Sequence, residues 1–484
     1  MEYSIVEIHE KFRSGELTAE KLVQRYLSRI EDVNPRVNAV IEINPDSLEI
    51  AQELDSYYAS SGLKGSLHGV PIMLKDNIET GDKMQTTAGS LAMVGHRAKD
   101  DAFLVKKLRE AGAIIIGKTN LSEWANFRGR RSTSGWSSRG GQTRNPYALD
   151  RTPCGSSSGS GVSVAADLCT VALGTETDGS IVCPSSINGV VGIKPSIGLV
   201  SRQGIIPIAH TQDTAGPMAR SVEDAVRVLQ VIAACDENDP VTENLNQDYI
   251  SHLNSDGLKG KRIGVLRSYS NFSTKVLKVF DNALKTMENA GAEIIEVELK
   301  VPEGLGQNEM NVLLYEYKHD LNSYLKSADC TPNSIEDLIG FGEKHKHDVL
   351  PHFGQEYFEM ALQKGTYEEE DYVQAVKNYN EFRRNIDELL KDVDALTAPT
   401  TGPAWLIDQV NGDAHGGGSS SSIAAISGYS AITVPMGYVS ELPIGVSFIA
   451  GKFAESTLIE IAFAYEQIAK IRISPSLKPV VPIN

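Results

Sequence analysis

Residues 101–117, DAFLVKKLREAGAIIIG, contain the pattern that decides the fold. A helix with apolar residues on one side comes first, Gly112 ends it, and the β-branched strand AIIIG follows at once. The same order returns at 275–299, where a helix, Gly291 and the strand AEIIEVEL succeed one another. Because helices and strands alternate, the chain is predicted to be an α/β protein with a mostly parallel sheet and helices on both faces.

The rest of the chain extends this alternation in both directions. Thr18 is a predicted N-cap, and apolar residues follow it at helical spacing. Further helices are predicted at 45–58, 222–234, 308–325 and 456–468, and further strands at 70–74, 169–174, 262–266, 394–399, 432–437 and 445–450.

No Pro- or Ser-rich linker divides the chain into two parts. The only low-complexity piece, HGGGSSSS at 415–422, is short and is predicted to be a mobile loop. We therefore expect a single domain over residues 1–484, with a helical lead-in over 1–60 and a helical annex over 303–392.

Charge and hydropathy narrow the partners and the compartment. The 46 basic and 63 acidic residues give a formal net charge of −17, which repels nucleic acid and anionic membrane surfaces. No run approaches the roughly 18 apolar residues of a membrane span. The first residues lack the layout of a secretory signal, so a cytoplasmic protein is expected, although a mature secreted form stays open. The sequence leaves the oligomeric state open.

The cysteines and histidines predict neither disulfides nor metals. Five cysteines are an odd number and form no CxxC motif, which disfavours a disulfide framework and a zinc ribbon and favours a reducing compartment. The nearby histidines at 345, 347 and 352 are interpreted as a solvated surface, because a metal site needs ligands that converge. We expect no metal ion and no cofactor.

A Gly- and Ser-rich segment at 129–161 contains the first candidate chemistry. It leads into a small-residue helix, and a loop that enters a helix N-terminus offers backbone N–H groups to an anion or oxyanion. Phosphate binding is one interpretation, but neither a P-loop nor a dinucleotide fingerprint is present. Acyl transfer is the other, and it requires a nucleophile, a base and an oxyanion hole.

A second Gly/Ser element, GTETDGSI at 174–181, supplies a candidate nucleophile. It follows a strand and presents Ser180 after a sharp turn. His210 is a poor base, because it lies in a Pro-flanked segment with no carboxylate motif beside it. Lys75, at the end of a buried strand, is the alternative, since burial lowers the pKa of a lysine. The alternative is that Lys75 only caps the end of its strand in contact with water, which is the usual role of a lysine at that position.

Taken together, PCGSSSGS at 153–160, GTETDGSIVCPSSINGVVGIKPSIGLV from 174 and GVPIMLKDNI from 69 resemble the amidase signature family. The resemblance implies a three-layer α/β/α sandwich around one large mixed β-sheet. It also implies a Ser-Ser-Lys triad, in which Ser180 is the nucleophile, Ser156 follows a cis peptide bond and Lys75 is the base. The two serines are 24 residues apart, as in that family.

The family resemblance further assigns an oxyanion hole and substrate-binding group to Thr177, Asp178, Gly179 and Ser157. The chain departs from the family pattern at two places. The family usually has Gly-Gly before its loop serines and Asp-Thr-Gly-Gly-Ser at the nucleophile. This chain has Cys154-Gly155 in the first place and an aspartate, Asp178, in the second. These variants are most similar to the peptide amidase branch. A cysteine nucleophile, Cys154 or Cys183, is disfavoured because neither follows the turn that Ser180 does.

The expected function is hydrolysis of a carboxylic amide, such as a C-terminal peptide amide, to an acid and ammonia through an acyl-enzyme. The partner is then a small-molecule or peptide amide. Three alternatives remain: the glutamine-amidase subunit of an aminoacyl-tRNA amidotransferase, a fatty-acid-amide hydrolase, and a non-catalytic phosphate-binding module.

Overall fold

Short apolar runs and amphipathic stretches alternate along the chain. In the computed structural model, which describes residues 2–414 and 418–481, the apolar runs form strands and the amphipathic stretches form helices. The strands are β1 (Val40–Ile43), β2 (Pro71–Lys75), β3 (Ile114–Thr119), β4 (Trp136–Ser137), β5 (Gly141–Gln142), β6 (Val171–Glu176), β7 (Val191–Lys194), β8 (Thr214–Ala219), β9 (Arg262–Leu266), β10 (Glu293–Val297), β11 (Ala395–Pro399), β12 (Ser430–Val439) and β13 (Leu442–Ala450).

Helices connect these strands and cover the sheet. They are α1 (Ile5–Ser14), α2 (Ala19–Val37), α3 (Ser47–Ser61), α4 (Phe103–Glu110), α5 (Ser158–Ala165), α6 (Val182–Ile187), α7 (Val222–Ile232), α8 (Thr274–Asn289), α9 (Leu305–Ser327), α10 (Ile335–Lys344), α11 (Lys346–Val349), α12 (Glu356–Leu362), α13 (Glu370–Leu389), α14 (Ser421–Ser427) and α15 (Glu455–Ala469). Thr18 caps α2 as predicted, accepting a hydrogen bond from the backbone of Lys21.

Within the described residues, eleven of the strands form one sheet in the order β1-β3-β2-β6-β8-β7-β12-β13-β11-β9-β10. Hydrophobic clusters lie on the two faces of this sheet, one under α4, α7, α8 and α15 and another under α2 and α5. The fold is therefore the three-layer α/β/α sandwich around a large mixed sheet that the family resemblance implies.

The two helix–glycine–strand units form as predicted. Gly112 stands between α4 and β3 with a positive φ of 87°, and a side chain there would bring its Cβ within 2.8 Å of His68 Cα. Gly291 plays the same part between α8 and β10 with a φ of 96°. Both positions need the left-handed conformation that glycine adopts without cost, so each glycine ends its helix and redirects the chain into a strand.

The expectation of a mostly parallel sheet was wrong. Among the described strands of the large sheet, four pairings are parallel and six are antiparallel. One reason is the tight connection between β12 and β13, where Ser440 and Glu441 both have positive φ and close a hairpin. Two-residue hairpin turns usually contain asparagine or glycine, so Ser-Glu gave no sequence signal for an antiparallel pair.

The helices α9 to α13 occupy the region predicted as a helical annex, residues 303–392. Helices α9, α10 and α12 share a hydrophobic cluster with Trp124 and Phe127, which precede the Gly/Ser-rich segment. Residues 415–417 of the predicted mobile loop lie outside the described residues, and α14 begins at Ser421. Among the helices described, none is both long enough and apolar enough to cross a membrane.

Candidate active site

The site is built where two neighbouring parallel strands end. Strand β2 pairs with β6 in parallel register, with Leu74 opposite Leu173. Lys75 therefore ends its strand beside Thr175, two residues before the turn that leads to Ser180. The carboxyl ends of parallel strands are the usual place for ligands in open α/β sheets.

The Lys75 side chain is fully buried and bonded to both Gly/Ser loops. Its Nζ lies 2.7 Å from Ser156 Oγ, 2.8 Å from Thr175 Oγ1 and 3.1 Å from the Thr175 carbonyl oxygen. Burial lowers the pKa of Lys75 to about 7, although the nearby carboxylates of Glu176 and Asp213 oppose the shift. A pKa near 7 brings deprotonation of Lys75 into the neutral pH range, which is the condition for a lysine to act as a base.

Ser156 is held in place through its backbone. The peptide bond between Gly155 and Ser156 is cis, and the Ser156 carbonyl accepts a hydrogen bond of 3.1 Å from the backbone of Ser122. A side chain at Gly155 would place its Cβ on Ser122 Oγ, so only glycine fits there. This close approach fixes the Ser156 hydroxyl against Lys75.

Ser180 lies at the end of a turn that is fastened on two sides. Gly179 has a φ of 77°, which reverses the chain before α6. The buried carboxylate of Glu176 accepts hydrogen bonds from Ile181 N and Val182 N at 2.6 and 3.0 Å. On the other side, the Ser180 carbonyl accepts a hydrogen bond from Ser157 N at 3.1 Å. The turn is therefore rigid, and Ser180 faces a cavity.

That cavity has a volume of 460 Å³, within the range of small-molecule sites. The described residues that line it come from the Gly/Ser loops, from the helical annex, from residues 125–127 and 208, and from residues 401–413 and 419–421. Of the predicted oxyanion and substrate residues, Thr177, Asp178 and Gly179 line the cavity with Ser180. The Ser157 hydroxyl is used elsewhere, because it donates to the Thr175 carbonyl at 3.0 Å.

The two cysteines beside the serines form a disulfide, so the expectation drawn from the odd cysteine count was wrong for this pair. Cys154 and Cys183 are bonded across the two Gly/Ser loops with their Cα atoms 6.1 Å apart. They are 29 residues apart in sequence and meet because both loops border the same cavity. Cys169, Cys235 and Cys330 are free. Pairing leaves neither Cys154 nor Cys183 a thiolate to act as a nucleophile.

Sequence reasoning missed several residues around the site. Thr175 and Asn77 lie behind the lysine, with Asn77 Nδ2 donating to Thr175 Oγ1 at 2.9 Å. Asp213 accepts a hydrogen bond from Thr177 Oγ1 at 2.6 Å, and burial raises the pKa of Asp213 to about 6. Glu309, from α9, lines the cavity with Ser180. Of the buried groups around the site, only Glu176 could have been found from the sequence, because it lies inside the GTETDGSI motif.

His210 belongs to a different cavity, of 240 Å³, whose lining does not include Ser180. Its Nδ1 lies 2.9 Å from Asp320 Oδ2 on α9, a partner that no local motif predicts. Among the residues described, His210, Glu316 and Asp320 are the group whose possible metal-ligand atoms converge, within 4.8 Å of one another. Glu316 already accepts hydrogen bonds from the backbone and hydroxyl of Thr211.

Comparison with known proteins places this geometry in one family. The model of the amidase family matches residues 21–459. A probable amidase from Arabidopsis thaliana is 42% identical, over 98% of this chain and 91% of its own. The crystal structure of native peptide amidase from Stenotrophomonas maltophilia is 46% identical with a TM-score of 0.93, over 98% of this chain and 99% of that chain. One subunit of glutamyl-tRNA(Gln) amidotransferase from Carboxydothermus hydrogenoformans is 34% identical, over 96% of each chain.

Proposed function

The chain belongs to the amidase family and is a hydrolase of linear carbon–nitrogen bonds other than peptide bonds, and we propose that it removes the C-terminal amide nitrogen of peptide amides. The observation that carries the mechanism is the 2.7 Å contact between Lys75 Nζ and Ser156 Oγ. It supports a proton relay that ends on a lysine which is partly neutral at pH 7.

In the proposed relay, Ser180 attacks the amide carbonyl and its proton passes through Ser156 to neutral Lys75. The N–H groups of Thr177, Asp178 and Gly179 stabilise the oxyanion of the tetrahedral intermediate. When the intermediate collapses, Ser156 returns the proton to the leaving nitrogen, and ammonia departs. Water then attacks the Ser180 ester by the same route and releases the carboxylic acid.

Two observations support a peptide amide as the substrate. The similarity to peptide amidase extends over nearly the whole of both chains. The formal net charge of −17 repels carboxylates, so a neutral carboxamide is favoured over its charged product, which leaves readily.

The second candidate is the amidase component of an amidotransferase, because the similarity to the glutamyl-tRNA(Gln) amidotransferase chain also extends over most of its length. That function requires glutamine as the amide donor and a partner that takes the ammonia. The two candidates differ in what the isolated chain hydrolyses.

An amide panel on the purified chain separates them. The panel contains a blocked dipeptide amide, a simple aliphatic amide, an oleoyl amide and free glutamine, with ammonia release and product mass as readouts. We expect the highest kcat/KM for the dipeptide amide, with internal peptide bonds left intact. A clear preference for glutamine or for the fatty amide rejects the peptide amide assignment.

The disulfide is evidence about the cellular compartment in which the protein is found. Structural disulfides persist in oxidising compartments and are rare in the cytosol, so Cys154–Cys183 supports the secreted alternative over the cytoplasmic one. Thiol trapping of the chain taken directly from cells tests this proposal. Labelling of three cysteines supports an oxidising compartment, and labelling of all five returns the assignment to the cytoplasm.

A further inference from the structure

The oxyanion turn carries a carboxylate that the proposed mechanism does not use. Asp178 stands two residues before Ser180 and lines the same cavity. Its Oδ1 atom is buried and has no hydrogen-bond partner. A buried carboxylate oxygen without a partner costs considerable free energy, and a ligand that supplies a donor recovers that cost.

Glu309 holds this carboxylate from the other side of the cavity. Its side chain is within hydrogen-bonding reach of Asp178, as is that of Ser421. Glu309 is itself fixed by Gln212 Nε2 at 3.1 Å, and Gln212 accepts a hydrogen bond from Tyr379 OH at 2.5 Å. The pair is therefore placed by a chain of hydrogen bonds that runs into the helical annex.

Two carboxyl groups in contact share a proton, because both cannot ionise at low cost. Burial and the neighbouring Glu309 raise the pKa of Asp178. Asp178 Oδ1 has no hydrogen-bond partner among the described residues, so we take it as the acceptor that a ligand would use. The group that fits it is an N–H donor on the substrate.

We propose that Asp178, positioned by Glu309, accepts a hydrogen bond from the α-nitrogen of the residue whose carboxamide is hydrolysed. Asp178 belongs to the proposed oxyanion turn and lines the same cavity as Ser180, so a carbonyl bound at Ser180 shares that cavity with Asp178. The α-nitrogen is two bonds from that carbonyl carbon. This inference rests on the proposed amide hydrolysis and narrows the substrate class to α-amino and α-acylamino amides.

Two kinds of α-nitrogen supply such a donor. In a peptide amide it is a neutral amide N–H, and in an amino-acid amide it is a protonated amine. A cation is also favoured by the charges on the cavity wall, where Asp178, Glu309 and Asp413 stand against Arg130. A simple aliphatic amide offers neither donor.

Three small amides of nearly the same shape test this subsite. N-acetyl-alaninamide carries a neutral N–H, alaninamide carries a protonated amine, and O-acetyl-lactamide has an oxygen in place of the N–H. Ammonia release gives kcat/KM for each. We expect the nitrogen substrates to exceed O-acetyl-lactamide about 10- to 100-fold, the size of a charge-assisted hydrogen bond. Comparing kcat/KM for N-acetyl-alaninamide with kcat/KM for alaninamide shows whether the neutral N–H or the protonated amine is preferred.

The subsite variants should change this preference while ammonia release persists. Asp178→Gly removes the acceptor. It should bring the ratio of kcat/KM for the nitrogen substrates to kcat/KM for O-acetyl-lactamide close to one. Glu309→Gln leaves the oxyanion turn intact and should lower the same ratio, so it supplies the test if Asp178→Gly does not fold. Asp320→Asn is the matched control, because Asp320 lies on the same helix but bonds His210 beside the other cavity. Its ratio should equal that of the wild type.

The outcomes separate the two levels of the proposal. Equal rates for all three amides in the wild type overturn the subsite and leave amide hydrolysis standing. Equal loss on all three substrates in Asp178→Gly and Glu309→Gln also overturns it, because the residues then act on the turn alone. Absence of ammonia from every substrate, including a blocked dipeptide amide, overturns the proposed function and the subsite with it.

Discussion

The segment from Cys154 to Val182 and the helical annex over 303–392 line the same cavity but are built differently. Nearly every residue of the first is buried, and its loops are fastened by backbone hydrogen bonds and a disulfide. The annex consists of amphipathic helices with one solvated face, where Val373 is 54% exposed. We therefore propose that the rigid segment carries the chemistry, and that the annex contributes to the choice of substrate through Glu309, which positions Asp178.

The largest expected effect comes from the rigid segment and its partner on β2. Ser180→Ala, Ser156→Ala and Lys75→Ala should each lower kcat roughly 10⁴-fold or more, and the losses should not add because the three residues act as one unit. Single and double variants assayed for ammonia release, with folding checked by circular dichroism, measure this. Near-full activity in Ser156→Ala would contradict the proton relay.

The disulfide gives the next largest effect. Replacing Cys154 and Cys183 together by serine should lower the free energy of unfolding by about 2–4 kcal/mol. It should also lower kcat up to about 100-fold, because small displacements of reacting groups are costly. Denaturant unfolding and steady-state kinetics measure the two quantities. Cys235→Ser is the matched control, since Cys235 is free and exposed. Unchanged kcat in the double variant would show that hydrogen bonds alone hold the loops.

The proposed catalytic residues could be named from the sequence because each lies in a short motif that resembles the amidase signature family. Lys75 and Ser156 were predicted, and the structure brings them into contact. Thr175 was missed because its contact with Lys75 depends on the register between β2 and β6. The odd number of cysteines could not show that Cys154 pairs with Cys183, because that pairing depends on how the two loops converge in the fold.

The annex was predicted as helices but not as part of the site. Its contribution depends on how α9 packs against α12 and α13 and beside Trp124 and Phe127, and its amphipathic pattern shows only that one side is buried. Glu309 is among many acidic residues in the sequence, and nothing nearby marks it as a cavity residue. Only the tertiary packing brings it to Asp178.

The pH profile gives a smaller effect that also separates the two regions. Because Lys75 must be neutral, kcat/KM should rise about tenfold per pH unit below its pKa near 7 and level off above it. Asp213, whose pKa is raised to about 6, is the nearest confounding group. Because the Asp213 carboxylate raises the pKa of Lys75, Asp213→Asn should move the inflection to lower pH, whereas an inflection that belonged to Asp213 itself would disappear. An optimum near pH 5 with loss above neutrality would contradict a neutral lysine.

The smallest expected effect belongs to the annex and concerns binding rather than chemistry. Met310 on α9 lines the cavity, and Met310→Ala removes apolar contact that a substrate would make equally in the ground and transition states. KM should rise roughly four- to tenfold, at about 0.8 kcal/mol for each buried CH₂, while kcat stays within about twofold. Val373→Ala, on an exposed face of the same annex, should change neither value. If Met310→Ala instead lowered kcat as strongly as a change in the rigid segment, the annex would be part of the catalytic machinery, and the division between the two regions would fail.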